Sequence, residues 1–269
     1  MMERVLLGAF AAVAITVIAR RYEVLDESGQ WGALAIGILA SAAGWPWAGT
    51  LVIYFVAAAA ITWYGAPTKA ARTESSTSPV RTRHLLQVLA NGIVFVAFAY
   101  RARGNPQSIW GIGAAGALAA SFADTAATEI GTLYGRSPRS ILTWQRVSPG
   151  LSGGVTLAGT AAAVVGAAFV AAIAAAMHGI GLGSRFVAVV TIGGVAGCLA
   201  DSLLGATVQA RRWCEHCNAW TERRVHPCSY RTVHARGIRW VDNSVVNLAA
   251  TAIGAVAAVA AVGANLALR

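Results

Sequence analysis

Apolar residues fall in long runs separated by short basic stretches, and most runs approach the ~20 residues an α-helix needs to cross a bilayer. Eight such runs stand out: Val5–Ala19, Trp31–Gly44, Trp47–Tyr64, Leu85–Tyr100, Ile109–Tyr134, Leu151–Met177, Arg185–Gln209 and Val245–Leu268. The second is short for a full span and fits a tilted or re-entrant segment. The pattern predicts an all-α fold, a polytopic transmembrane bundle of about eight helices forming one integral membrane domain over residues 1–269.

Composition sharpens this. The chain is 57% apolar and 12% charged, against about 25% charged residues in a soluble domain. Glycine, 29 residues here, is better tolerated in membrane helices than in soluble ones. A net charge of +10 would suit nucleic acid, but the basic residues are spread through loops without interleaved aromatics, so nucleic-acid binding is not expected. Arg20 and Arg21 follow the first apolar run, which suits a retained first helix rather than a cleaved signal.

Lys and Arg alternate between loops. With the N-terminus outside, the inner loops hold Arg20 and Arg21; Lys69, Arg72, Arg81 and Arg83; Arg136, Arg139 and Arg146; and the seven arginines from Arg211 to Arg239, which together are 16 of the 21. Inner loops retain positive charge, so the long basic loops are expected in the cytoplasm. The single lysine hints at a prokaryote and hence a plasma membrane. Residues 66–83, rich in Ser and Thr, read as a cytoplasmic linker; residues 211–242 form a cytoplasmic loop containing Cys and His.

A faint echo runs through the second half. Ser121–Thr125 resembles Cys198–Ser202, and Val155–Thr160 resembles Val246–Thr251, each pair separated by a basic loop. Either two helices are duplicated in parallel, or an Ala/Gly-rich chain resembles itself by chance. Parallel repeats place sites at their interface.

The acidic residues inside predicted spans are Asp124, Glu129 and Asp201, and ionisable groups there suggest a functional site. Asp124 lies 15 residues past Ile109 and Asp201 15 past Phe186, placing both ~22 Å along an inward-running helix. Two carboxylates at one depth suit Mg²⁺, which takes one or two carboxylates plus phosphate oxygens and water. The plainer alternative is an arginine partner or a helix cap for each. Glu129 lies about 140° round the helix from Asp124, so the two share a ligand only if the helix breaks.

Pro149-Gly150-Leu151-Ser152-Gly153-Gly154 reads as a glycine-rich turn opening the sixth helix, where convergent N–H groups favour anions. Arg139 and Arg146 precede it and suit phosphate; close helix packing is the alternative role for the glycines. Asn243 and Asn247, four residues apart, share a face, with Asp242 at the interface; a simple N-cap explains Asp242 or Asn243 but not Asn247 one turn deeper. Gln87 and Asn91 repeat that spacing, for interhelical hydrogen bonding or for the site. Cys214-x₂-Cys217 with His226 and Cys228 has the ligand types of a structural zinc site, with His216 and His234 as competitors and free thiols as the alternative.

At Ala123-Asp124-Thr125-Ala126-Ala127-Thr128-Glu129-Ile130-Gly131 the chain resembles the membrane family that includes plant phytyl-phosphate kinase and transmembrane protein 19. Pro138–Ile141, Pro149–Gly154, Asp201–Gln209, the Cys-x₂-Cys loop and Asp242–Asn247 follow in that family's order, so the resemblance covers roughly residues 85–260. Thr128 stands where the pattern has Ser, and Arg146 where it has Lys. The resemblance implies transfer of a phosphoryl group from a nucleoside triphosphate to a prenyl monophosphate. Asp124, Glu129 and Asp201 would then be catalytic, Asp124 and Asp201 as Mg²⁺ ligands and Glu129 as a further ligand or the orienter of the attacking phosphate. Asn91, Thr125, Thr128, Arg139, Arg146, Gly150, Ser152, Gly153, Gly154, Ser202, Gln209, Asp242, Asn243 and Asn247 would bind substrate and phosphate. Expected partners are the prenyl phosphate, the nucleotide and the bilayer, and a homo-oligomer is compatible with the sequence. Rival readings are a transporter or permease, a lipid-phosphate nucleotidyltransferase, and a scaffold that binds a partner through its Cys/His loop.

Overall fold

The computed structural model describes residues 2–73, 82–102 and 104–264. Among them run nine helices: α1 (Met2–Arg21), α2 (Glu27–Ala43), α3 (Trp45–Trp63), α4 (Ala66–Arg72), α5 (Leu85–Ala102), α6 (Ile109–Tyr134), α7 (Leu157–Met177), α8 (Arg185–Thr207) and α9 (Asn243–Ala264). The all-α bundle is as expected, with two small additions. Strands β1 (Arg139–Ser140) and β2 (Gly154–Val155) pair between α6 and α7. Strands β3 (Arg211–Cys214), β4 (Ala219–Thr221) and β5 (Val233–Arg236) form a sheet of order β4-β3-β5 between α8 and α9.

Helices α3, α5, α7, α8 and α9 are long and apolar enough to cross a membrane. The eight predicted spans exceed that set by α1, α2 and α6. Helix α2 has only 17 residues. Helix α6 is diluted by Ala, Gly and polar residues, for a structural reason: it is the central helix, packed against α3, α5, α7, α8 and α9, and everything from Gly111 to Ala123 is buried. A helix enclosed by protein needs no lipid-facing bulk. Helix α1 is the opposite case, with Leu6, Leu7, Phe10, Val13, Val17 and Ile18 exposed, the surface of a helix facing lipid.

The α6, α8 and α9 backbones cross at glycine. A methyl at Gly254 would lie 3.0 Å from the Gly116 carbonyl and 3.2 Å from that of Gly193, the close small-residue contact on which membrane helices rely. From this crossing, α6 and α8 run on to the end of the bundle where α7 and α9 begin. The turn between α1 and α2 reaches the same end, since Leu25 bridges to Arg83 before α5.

Three boundaries correct the sequence reading. Helix α7 begins at Leu157, capped by the Thr156 hydroxyl accepting from the Gly159 N–H at 3.0 Å, so Pro149–Gly154 does not open it. Gly154 instead pairs with Ser140 across β1 and β2. Residues 66–83 are not a linker throughout: 66–72 form α4, and 74–81 lie outside the described residues. The 211–242 loop is ordered around the small three-stranded sheet.

Candidate functional site

At that end of the bundle lies a polar cavity of about 630 Å³, lined from the ends of α6 and α8, the starts of α5, α7 and α9, and both inserted β segments. Asp124 and Asp201 both line it and are close enough to act on one another electrostatically. Asp201 is buried, 9% exposed. With the amide of Asn247 oriented by its hydrogen bonds, its nitrogen donates to Asp201 Oδ2 at 3.0 Å and to the Asn243 carbonyl at 3.1 Å. Thus the i, i+4 pair of α9 fixes one carboxylate. Among the described residues no group donates to the Asp124 carboxylate or pairs with it, so its oxygens are free to accept from a ligand. Among the described residues neither aspartate pairs with an arginine, and both lie well inside unbroken helices, so neither serves as a helix cap.

Glu129 is different. Helix α6 is unbroken from Ile109 to Tyr134, so Glu129 points to another wall, where its carboxylate pairs with Lys69 of α4. The Lys69 ammonium also donates to the Ile61 and Thr62 carbonyls at 2.9 and 2.7 Å and is itself buried. Glu129 also lines the cavity, but the unbroken helix does not turn it and Asp124 toward one ligand. Its carboxylate anchors α4 under the cavity.

The cations also differ from expectation. Arg139 donates to the Trp144 carbonyl at 2.8 Å. It and Arg146 are exposed and bridge to each other outside the cavity lining. The basic groups that do line it are Arg83, His84, Arg212, Arg223, Arg224 and Arg239. Arg212 is held by Thr232, whose hydroxyl accepts from Nε at 2.7 Å and whose carbonyl accepts from Nη2 at 2.5 Å. Nothing in the sequence separates these from the other basic loop residues: Arg83 and His84 enter the lining from just before α5, and Arg212, Arg223, Arg224 and Arg239 from the segment that carries the sheet.

Of the remaining expected site residues, Asn91, Thr125, Thr128, Gly150, Ser152, Gly153, Gly154, Ser202, Gln209, Asp242, Asn243 and Asn247 all line the cavity. Several have structural work there. The Asp242 carboxylate caps α9, accepting from the Ser244 and Val245 N–H groups at 2.9 and 3.1 Å. Thr125 returns its hydroxyl to the Ser121 carbonyl at 3.0 Å. Ser152 donates to Glu222 at 2.5 Å and accepts from Gln209 at 3.1 Å, and Arg211 donates to the Ser152 carbonyl. Ser152 and Gln209 thus bind the glycine-rich turn to the sheet. Burial, with Arg236 alongside, lowers the pKa of Arg211, and Glu222 partly opposes that. Gly153, at φ +81°, sits against α8: a methyl there would lie 2.9 Å from Ala206 N and Cα. Sequence reasoning missed Tyr54 and Ser121. Tyr54 meets Ser121 at 2.7 Å, and Ser121 donates to Asn91 Oδ1 at 3.0 Å, which fixes the Asn91 amide.

Outside the cavity, the ligand atoms of Cys214, Cys217, His226 and Cys228 lie within 4.8 Å of one another. His216 stacks on Tyr230 at 4.1 Å, and neither it nor His234 joins the cluster. Burial disfavours ionisation of Cys228, but hydrogen bonds from the Tyr230 N–H, Cys217, His226 and Cys214 outweigh it and bring the thiol down to about 6.

A bundle of apolar helices around an acidic, arginine-rimmed cavity defines a polytopic integral membrane protein whose polar chemistry sits at one end. The chain belongs to the family described as integral membrane protein DUF92, whose model matches residues 10–255. It is 30% identical over 214 residues to uncharacterized membrane protein MJ0933 of Methanocaldococcus jannaschii, covering 77% of this chain and 84% of that one. It is 28% identical over 265 residues to uncharacterized membrane protein sll0875 of Synechocystis, covering 96% and 90%. It is also 30% identical over 231 residues to Protein PGR of Arabidopsis thaliana, covering 76% and 80%. The membrane family that the ordered motifs resemble is thereby borne out. No solved structure matches.

Proposed function

We propose that the protein is a prenyl-phosphate kinase, transferring the γ-phosphoryl group of a nucleoside triphosphate to an isoprenyl monophosphate. The observation that carries this is the meeting of Asp124 and Asp201, from separate helices, in one cavity of about 630 Å³ with Arg212, Arg223, Arg224 and Arg239 in its lining. That volume falls within the roughly 300–1,000 Å³ of small-molecule sites. The basic loops gather at the cavity end, which supports placing this end in the cytoplasm. Nucleotide would arrive there, while a prenyl tail dissolves among lipid and helices. In a prokaryote the host would be the plasma membrane.

The donor set fits Mg²⁺: Asp124 has free acceptor capacity, Asp201 keeps one oxygen after Asn247 takes the other, and the remaining positions suit phosphate and water. When bound there, the ion would neutralise phosphate charge. The chain's own residues do the rest. Arginines from the sheet hold the triphosphate in line with the incoming monophosphate, and Asn91 and Asn243 offer amide contacts beside it. An oxygen of the monoester attacks the γ-phosphorus. The bond from γ-phosphorus to the β,γ-bridging oxygen breaks, and its electron pair leaves on the nucleoside diphosphate. A phosphate monoester is already a nucleophile, so positioning and charge neutralisation suffice.

Purified protein in detergent with Mg²⁺, γ-labelled nucleotide and phytyl or geranylgeranyl phosphate should yield labelled prenyl diphosphate. Absence of that product with every nucleotide would reject the kinase. Released pyrophosphate with a nucleotide-linked lipid would identify a nucleotidyltransferase. Nucleotide-independent solute flux in sealed vesicles, lost in Asp124→Asn, would identify a transporter.

A further inference from the structure

The sheet that carries the cavity's arginines has almost no core of its own. Between Arg211 and Val241 the buried side chains are Cys214, Thr221, Thr232 and Val241, and Val241 is the one aliphatic group among them. Trp213 and Trp220 cross edge to face at 5.1 Å, but Trp220 remains exposed. So small an apolar interior does not hold three short strands in one arrangement without a covalent or metal staple.

The staple is at hand. Cys214 ends β3, Cys217 lies in the turn to β4, and His226 and Cys228 lie in the stretch between β4 and β5. Their side chains converge: Cys214 Sγ stands 3.7 Å from Cys228 Sγ, and His226 Nδ1 stands 3.0 Å from Cys228 Sγ. The chain takes a left-handed residue immediately after each turn cysteine, Asn218 at φ 49° and Ser229 at φ 69°. Two tight turns thus aim their sulfurs at one point, at a cost in backbone conformation that a shared ligand would offset. The 3.7 Å between Cys214 Sγ and Cys228 Sγ matches the edge of a tetrahedron with metal–sulfur bonds of about 2.3 Å, and with all four ligand atoms within 4.8 Å of one another a small closure completes the set.

We infer that Cys214, Cys217, His226 and Cys228 bind one structural zinc ion that pins the sheet above the cavity. Three thiolates and one imidazole make a closed tetrahedral set with no position left for substrate, which assigns the ion to structure rather than chemistry. Its effect reaches the cavity through short links. Arg212 stands two residues before Cys214, and Arg223 and Arg224 stand just before His226. The Thr232 hydroxyl joins them, accepting from Arg212 and donating to the Arg223 carbonyl at 2.6 Å. That functional consequence rests on the kinase reading; the metal site itself does not.

The test measures metal in the full-length protein purified in detergent under reducing conditions, with neither nucleotide nor lipid substrate added. About one zinc per chain is expected. Stripping with a chelator should expose 215–230 to protease, and zinc alone should restore protection. Cobalt in place of zinc should give thiolate charge-transfer bands and the visible bands of a tetrahedral ion. Cys217→Ser with Cys228→Ser should lower the zinc to background, while Cys198→Ser, outside the cluster, should retain it. Wild-type protein that holds no zinc and develops no cobalt bands would overturn the inference, as would stoichiometric iron or a Cys214–Cys228 disulfide in the purified protein. Because no phosphoryl transfer is read, a failed kinase assay leaves this result standing, and the converse also holds.

Discussion

The two halves around the cavity, α6 to α7 and α8 to α9, share an order of parts and differ in how each treats its aspartate. Gly116 of α6 and Gly193 of α8 both meet Gly254, and eight residues later each helix reaches Asp124 or Asp201. In the pairing of Val155–Thr160 with Val246–Thr251, Asn247 of α9 corresponds to Thr156 of α7. Asn247 donates to Asp201, whereas Thr156 spends its hydroxyl capping its own helix. One half therefore fixes its carboxylate and the other leaves it free. The loops diverge likewise: the first is a two-strand hairpin whose Arg139 and Arg146 lie outside the lining, the second carries a sheet and sends Arg212, Arg223, Arg224 and Arg239 into it. An arrangement of this kind divides one site into an anchoring half and an adaptable half.

The largest test of that division is removal of each charge. Asp124→Asn and Asp201→Asn should each lower phosphoryl transfer about 10³-fold, the scale of losing a principal electrostatic contact to the transition state. The two should differ in their fold. Asp124→Asn should leave the apparent Tm in detergent unchanged, because no protein group depends on it. Asp201→Asn should lower it by a few degrees, because the Asn247 amide then faces a poorer acceptor. Equal activity in both variants and wild type would refute the site outright.

Next in size is the carboxylate that only the first half carries. At the spacing that relates Asp124 to Asp201, Glu129 corresponds to Ala206, and the extra charge is balanced by Lys69. Lys69→Met leaves Glu129 without its partner in a largely buried place, at a cost of about 3 kcal/mol, read as a marked drop in Tm. Glu129→Gln in the same background should recover much of it, since the unpaired charge is gone. If Lys69→Met keeps wild-type stability but abolishes activity, the pair belongs to the chemistry rather than to the anchoring of α4.

How far the sequence shows this site depends on the cost of each residue's placement. Asp124 and Asp201 are legible because a carboxylate in an apolar span is expensive and needs a reason. Asn247 is legible one turn inside a helix start, where capping cannot account for it. The four residues proposed to bind zinc are legible as a set of types, although the sequence cannot choose His226 over His216 or His234; in the fold the cluster takes His226, and His216 stacks on Tyr230. Lys69 is hidden because it sits in a charged, Ser/Thr-rich stretch that reads as solvated. Helix α4 forms there because it packs under α6, a tertiary gain that no local pattern records. Helix α7 is misjudged at its start for a related reason: glycines in a hydrophobic run look like helix, and only pairing with Ser140 reveals a strand.

A smaller effect separates the two loops. Arg224→Ala, from the sheet, should raise the KM for nucleotide about tenfold while kcat changes little, as expected when a cation contributes about 1.4 kcal/mol equally to bound substrate and transition state. The same substitution made together with Arg223→Ala should raise it further.

The smallest expected effect is the sharpest on the comparison. Arg139 and Arg146 precede the glycine-rich turn, and on sequence grounds they are the natural phosphate ligands. In the fold Arg139 is engaged with the Trp144 carbonyl, Arg146 is exposed, and neither lines the cavity. Arg146→Ala should therefore change kcat and the nucleotide KM by less than about twofold, within the ±0.5 kcal/mol typical of an exposed surface substitution. Arg139→Ala should match it once a modest loss of hairpin stability is allowed for by measuring activity well below Tm. A tenfold rise in KM for Arg146→Ala would show that the hairpin folds inward when nucleotide binds, making both loops, not one, the phosphate clamp.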